Sequence, residues 1–432
     1  EWALKDSPGM YLRRDAREGR WLTAPFPAYV LADAPGGHMN FHKEVAQRAD
    51  YLAIAAGQRS YPWRLLIITD EDRDLLDVDL VYQLARAPTP GTDFSWVKPG
   101  KVAWDWWNAW NLKGVDFKTG INTATYKYYI DFAAKYGLEY INLDEGWSDQ
   151  FDLLRLNPEV DPQEIIRYAD SKGVGVFLWC VARTLDIQMD TAMKTFADWG
   201  VKGIKVDFMD RDDQGMVDFY WRTAEMAATY KLLVNFHGAY KPTGMSRAFP
   251  NVINYEAVRG LEYNKFARPD GTTAKHAVSI PFIRMLAGQM DYTPGAMTNV
   301  RKEEFVVHND RPMSQGTRCQ QLAMYVVYEA PLQMLADAPT AYEAEPDIMD
   351  FLGAVPTTWD ETYAISGEVG EYAVVARRKG DEWYVGGITH QARKLTIDFS
   401  FLGEKVHKAD ISLDGLNAHR LGEDYSRSQI QV

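Results

Sequence analysis

Gly203-Ile204-Lys205-Val206-Asp207-Phe208-Met209 is an apolar run interrupted by two charges spaced two residues apart. Side chains on a strand alternate between faces, so Lys205 and Asp207 share one face and Ile204, Val206 and Phe208 the other. Two charges turned toward an interior are costly unless they are paired or used. The segment therefore reads as a buried strand whose C-terminal end carries either a structural ion pair or part of a functional site.

Similar segments recur on both sides. The pattern predicts strands at Lys101–Trp106, Tyr140–Asp144, Gly175–Cys180, Leu232–His237 and Val252–Glu256, with further ones at Met290–Thr293 and Gln333–Asp337. Helical spacing falls between them at Thr123–Tyr136, Pro162–Lys172, Thr191–Trp199 and Asp213–Tyr230. Eight strands alternating with helices predict an α/β fold, a (β/α)8 TIM barrel over residues 94–344. An open doubly wound sheet is the alternative. It is disfavoured because no Gly-rich phosphate loop follows the first strand and polar residues close nearly every strand.

The flanks read differently. Residues 1–93 are rich in Pro and Gly, with strand-like runs at Trp63–Ile68 and Asp79–Leu84. They predict the end of a β-sandwich domain joined to the barrel by Ala87-Pro88-Thr89-Pro90-Gly91-Thr92. The opening Glu1-Trp2-Ala3 carries neither an initiator Met nor a leader pattern and reads as a cut end. From 345 to 432, short alternating runs at Glu371–Arg378, Glu382–Thr389 and Lys394–Phe401, with Gly380-Asp381 as a turn, predict a small C-terminal β-sandwich.

Composition narrows the function. The 432 residues are 46% hydrophobic and 25% charged, which excludes a disordered chain. No apolar run approaches the ~20 residues of a membrane helix. The net charge of -13 argues against nucleic acid or an anionic membrane as partner. Cys180 and Cys319 permit one disulfide at most and leave the compartment open, and Cys180 reads as buried filler. Aromatic residues make up 13%, including 14 Trp and 24 Tyr, which suits either a large core or stacking on sugar rings.

In a barrel the active site lies beyond the C-terminal ends of the strands. There stand Trp104-Asp105-Trp106-Trp107, Asp144-Glu145-Gly146-Trp147, Trp179-Cys180, Lys205 and Asp207, Asn235-Phe236-His237-Gly238, and Glu256 with Arg259 and Glu262. Half of the Trp104, Trp106, Trp107 and Trp110 group is expected to be core. A hydrolytic transition-metal site wants several histidines at strand ends; only eight exist in the chain, and the first strand carries Trp-Asp-Trp instead. Oxygen ligands leave calcium open. Carboxylates facing a site walled by aromatic rings suit glycoside hydrolysis.

Gly203–Met209 resembles the nucleophile motif of retaining α-galactosidases, and Leu143-Asp144-Glu145-Gly146-Trp147 is similar to the sugar-contacting turn of the same clan. From residue 1 to the C-terminal strands the chain resembles glycoside hydrolase family 97, a calcium-dependent group of α-glycosidases with a sandwich, a barrel and a second sandwich. The resemblance implies a periplasmic or secreted enzyme acting on oligosaccharides, and that the first part of the N-terminal domain precedes Glu1. It implies Glu1, Glu256 and Glu262 as calcium ligands, with Glu262 also the proton donor. Inverting members carry a base just after the strand-end His, where this chain has Gly238; retaining members use an Asp on the fourth strand, here Asp207. The expectation is a retaining, exo-acting α-galactosidase with Asp207 as nucleophile and Glu262 as acid/base. Asp105, Asp144, Glu145, Lys205, His237 and Arg259 are the expected sugar contacts, with Trp147 and Trp179 as walls. The rivals are an inverting α-glucosidase of the same family and a non-catalytic glycan-binding barrel.

Overall fold

The structure is a computed structural model. It describes residues 26–58 and 64–432, together with the short strands Trp2–Leu4, Ser7–Met10, Arg13–Arg14 and Leu22–Thr23. Glu1 and Trp63 lie outside the described residues.

A hairpin, β1 (Val30–Gly36) and β2 (His42–Arg48), leads toward the barrel. Two expectations in this region fail. Arg64–Thr69 is irregular, with Leu66 and Ile68 exposed, because the run finds no ladder partner among the described residues. Leu80–Leu84 is a short helix that buries only Val81; the alternation was that of one helical turn with a single inward residue.

The barrel strands are β3 (Gly100–Trp104), β4 (Tyr140–Leu143), β5 (Gly175–Val181), β6 (Gly203–Asp207), β7 (Leu233–Phe236), β8 (Val252–Tyr255) and β9 (Leu332–Leu335). They pair in parallel in the order β8-β7-β6-β5-β4-β3-β9. The expected strand Met290–Thr293 fills the gap between β8 and β9 without a regular ladder. Asp291 N–H donates to Tyr255 O at 2.7 Å and Met290 N–H to Glu329 O at 2.8 Å. Thr293 then turns left-handed at φ 60°, which ends any strand pairing. With this segment in place the sheet closes as a TIM barrel.

Helices α1 (Thr123–Tyr136), α2 (Pro162–Lys172), α3 (Ala182–Trp199) and α4 (Gln214–Thr229) wrap the sheet. Asn122 and Asp161 cap α1 and α2 by accepting N–H bonds from Thr125 and Glu164. Helix α3 starts at Ala182, before the expected Thr191. Leu185, Met189, Ala192, Met193 and Phe196 form its buried stripe, and the exposed Ile187 obscured the period.

Beyond the barrel, β10 (Glu361–Glu368), β11 (Tyr372–Lys379) and β12 (Glu382–Thr389) form an antiparallel sheet, followed by the hairpin β13 (Lys408–Asp414) and β14 (Tyr425–Gln431). Lys394–Phe401, expected as a strand, is irregular up to a short helical turn. Its Leu395, Ile397 and Phe401 still pack on Ile365, Val374 and Ala376. Its alternating apolar residues found a sheet face but no ladder. No helix among the described residues is long and apolar enough to cross a membrane.

Candidate active site

Lys205 and Asp207 do share the inner face of β6. Lys205 Nζ donates to Asp144 Oδ2 at 2.8 Å, lies 3.6 Å from Glu262 Oε1, and stands 4.5 Å over the Trp104 ring. Burial opposes its charge, but Asp144, Glu262 and Asp207 outweigh burial and raise its pKa. Lys205 and Asp207 are not paired with each other. Asp207 is held by Trp179 Nε1, which donates to Oδ2 at 3.1 Å, and by Phe208 N–H, which donates to Oδ1 at 2.8 Å. Burial raises the Asp207 pKa, partly offset by His237 and Lys205.

The loop after β8 folds back on itself. Leu261 N–H donates to Tyr292 O at 2.9 Å and Trp107 Nε1 donates to Leu261 O at 3.0 Å, which turns Glu262 inward. Glu262 Oε1 lies 3.3 Å from His237 Nδ1, and Glu256 Oε2 lies 3.9 Å from the same nitrogen. Gly238 N–H donates to Glu256 Oε2 at 2.8 Å. On the other side of the ring, Asp291 Oδ2 is 2.7 Å from His237 Nε2 and accepts from Asn235 Nδ2 at 2.6 Å. Burial and the neighbouring Glu262 raise Glu256. Glu262 would also be raised by burial, but Lys205 and His237 hold it down.

Gly238 sits at φ 54°. A Cβ there would stand 2.8 Å from Phe208 N and 3.1 Å from Asp207 Oδ1. The space beside His237 that a longer residue would need is already occupied by the end of β6.

Residues 106–258 match the family described as Glycoside hydrolase 97. Residues 1–87 match Glycosyl-hydrolase 97 N-terminal, and residues 358–432 match Glycosyl-hydrolase 97 C-terminal, oligomerisation. The chain belongs to glycoside hydrolase family 97. It is 49% identical over 427 residues to a retaining alpha-galactosidase of Bacteroides thetaiotaomicron, covering 98% of this chain and 64% of that one. It is 33% identical over 373 residues to a probable retaining alpha-galactosidase of Streptomyces bingchenggensis, covering 85% of this chain and 55% of the relative. The chain thus spans less than two thirds of either relative. A family 97 enzyme from a Pseudoalteromonas species, solved with acarbose, superposes with a TM-score of 0.82 at 29% identity, covering 100% of this chain and 69% of that one.

Several residues expected to line the family 97 sugar site are engaged elsewhere. Trp147 is fully buried, packs edge-on against Phe196, and donates its indole N–H to Trp179 O at 2.8 Å, so it has no face left for a sugar. Trp179 packs among Phe41, Val181 and Phe208 and acts through its bond to Asp207. Arg259 donates to Gly271 O at 2.9 Å and covers Tyr263, which makes it a clamp for the loop. Asp105 lies behind Asp144 and accepts from Trp110 Nε1 at 2.8 Å; burial and the Asp144 charge push its pKa up to about 7. Asp144 also accepts from Trp104 Nε1, Asn142 Nδ2 and its neighbour's N–H, so both its oxygens are taken. Glu145 is half-buried, and burial followed by the Asp144 charge raises its pKa. Trp104 and Trp107 are core, whereas Trp106 and Trp110 are half-buried. Cys180 is buried and its thiol is pushed up by burial alone.

Two members of the site were missed. Asp291 is the one carboxylate in an apolar segment, the same signal that singled out Asp207. Lys265 donates to Trp106 O at 2.5 Å and stands 4.1 Å over the Trp106 ring, while Trp104 and Trp106 stack at 5.9 Å. Burial depresses the Lys265 pKa to about 8. It lies three residues after Glu262 on a single helical turn, Tyr263–Phe266, too short for its period to show in the sequence.

The family's metal can be tested against these residues. His237, Glu256 and Glu262 bring ligand atoms within 4.8 Å of one another. His237 Nδ1 is buried with no hydrogen-bond partner among the described residues. Two converging carboxylates and an unfilled nitrogen fit a divalent cation, and the carboxylate oxygens suit calcium.

Proposed function

We propose that this protein is a retaining, exo-acting α-galactosidase that hydrolyses terminal α-galactosides of oligosaccharides by double displacement with calcium assistance. The observation that carries the reading is Gly238 packed against Asp207: the position of an inverting base has no side chain, and the carboxylate beside it stands at the end of β6. The descriptions of the two curated relatives support the same branch.

Asp207 attacks the anomeric carbon from the β face while Glu262, which must first take up a proton against the pull of Lys205 and His237, gives that proton to the departing oxygen. A β-galactosyl ester of Asp207 results. Glu262, now ionised, takes a proton from water, which attacks the same carbon and releases α-galactose and the Asp207 carboxylate. Trp179 and the Phe208 N–H keep Asp207 aimed. Lys205 links Asp144 to Glu262 across the cleft, and Asp291 orients the His237 ring. Bound calcium would be held by Glu256 and Glu262 beside His237, and by Glu1 if the family pattern extends to it. It would supply a fixed positive charge that orders sugar hydroxyls.

Galactose differs from glucose at the axial O4, and the half-buried Glu145, on the loop that Asp144 holds in place, is the residue nominated to recognise it. The family resemblance is the ground for expecting a periplasmic or secreted enzyme. The decisive experiment follows p-nitrophenyl α-galactoside and α-glucoside hydrolysis by NMR. α-Galactose should form first, and the glucoside should react far more slowly. β-Galactose as first product, or equal rates on the two substrates, overturns the reading.

A further inference from the structure

The hairpin β1–β2 comes from the N-terminal part of the chain, yet its tip reaches the end of β6. Phe41 is fully buried, although the residues before it in the turn are exposed. Its ring lies 5.1 Å from Phe208, 6.2 Å from Trp179 and 5.9 Å from Phe151, centroid to centroid. Phe41, Trp179 and Val181, with Phe208 packed against them, form a small cluster separate from the main core.

Polar side-chain contacts fasten the hairpin around this ring. His42 Nδ1 lies 2.8 Å from Asp210, Lys43 pairs with Asp186 on α3, and Arg211 reaches Asp33 at 2.7 Å. His42 also packs edge-on against Phe208 at 5.2 Å. The turn that presents Phe41 needs Gly37 at φ 66°, where a Cβ would run into the His42 ring.

The two residues beneath Phe41 are the two that hold the nucleophile. Trp179 donates its indole N–H to Asp207 Oδ2, and Phe208 donates its backbone N–H to Asp207 Oδ1. Phe208 does so from a left-handed backbone at φ 67°, a conformation a bulky residue keeps only when its surroundings impose it. The surroundings that impose it are His38, Phe41 and His42 from the hairpin, with Trp179 of the barrel edge-on beside them.

We propose that Phe41 is a positioning residue for the nucleophile: the N-terminal hairpin wedges it against Trp179 and Phe208 to fix the two donors that aim the Asp207 carboxylate. This rests on the retaining reading, with Asp207 as attacking group. Phe41 touches neither sugar nor reacting atom. Without its ring, Trp179 can tilt and Phe208 can relax, and a displacement of the carboxylate of about 1 Å costs on the order of 100-fold in rate.

The test compares the full chain with Phe41→Ala, Phe41→Leu and, as a control of similar destabilisation far from the site, Ile165→Ala on α2. Phe41→Ala should lower kcat by roughly 10- to 100-fold with KM within about threefold. The loss should be as large on an activated aryl α-galactoside as on an alkyl one, because the defect lies in attack and not in proton donation. Phe41→Leu should recover most of the rate, and Ile165→Ala should keep it. In 15N-labelled protein the Trp179 indole N–H resonance, assigned with Trp179→Phe, should move in Phe41→Ala toward its position in Asp207→Asn. An unchanged kcat, a loss confined to KM, or a stationary indole resonance overturns the proposal. If the intact chain turns over no α-galactoside, the functional reading fails and the indole resonance alone decides the positioning role.

Discussion

Gly238 and Asp207 exclude one another's alternatives: a Cβ on Gly238 would stand 3.1 Å from Asp207 Oδ1 and 2.8 Å from the N–H of Phe208 that bonds the same oxygen. Gly238→Ala should therefore displace the nucleophile as well as strain a backbone at φ 54°. We expect kcat to fall by about 100-fold and stability by about 1–2 kcal/mol, read by initial rates and urea unfolding. Full activity in this variant would mean that Asp207 does not need its present position.

Removing the nucleophile should leave a rescuable enzyme. Asp207→Ala should fold and lose most of its kcat. Added azide should restore turnover and yield the β-galactosyl azide, since the small anion enters the face the carboxylate left. Rescue giving the α-azide would argue against attack from Asp207's side.

Asp144 and Glu145 should separate into support and recognition. Asp144 is almost fully buried, and its oxygens already accept from Trp104, Asn142, Lys205 and the Glu145 N–H. Asp144→Asn should cost about 3–5 kcal/mol in stability by leaving Lys205 without its closest partner. Glu145→Gln should leave stability nearly unchanged and lower kcat/KM for the α-galactoside. If Asp144→Asn unfolds no more readily than the parent, the buried pair is not the support it is taken for.

Lys265 predicts a pH signature. Its pKa in the folded protein is pushed down to about 8 by burial. Between that value and the ordinary lysine range the unfolded chain binds more protons, so stability gains from this group as pH rises through the window. Lys265→Met removes the buried charge. Its stability relative to the parent should be most favourable near neutral pH and decline by up to ~3 kcal/mol toward pH 10. A difference independent of pH would mean that Lys265 is not held below its ordinary value.

Calcium should stabilise as well as activate. Chelation should lower the melting temperature and the activity together, and calcium at about 100 times its Kd should restore roughly 2.7 kcal/mol. Glu256→Gln should weaken that shift. Identical melting curves with and without calcium would count against a cation at His237, Glu256 and Glu262.

The alternation of Gly203–Met209 already announced a buried strand with two inward charges, because strand periodicity is local and hydrophobic patterning needs no partner to be visible. The same holds for the other barrel strands and for α1 and α2, whose caps are encoded within a few residues of each end. Local patterning misled where an apolar run met no partner, as at Arg64–Thr69, or met a surface without a ladder, as at Lys394–Phe401. Which rim residues face the cleft was beyond it altogether. Trp147 and Trp179 carry the same indole at neighbouring strand ends, yet the first is spent on a backbone carbonyl and the second on the nucleophile. Asp291, Lys265 and Phe41 reach the site from segments far apart along the chain. Their roles arise from hydrogen bonds and ring contacts that exist only after the barrel closes and the hairpin docks, when distance in space no longer follows distance along the chain.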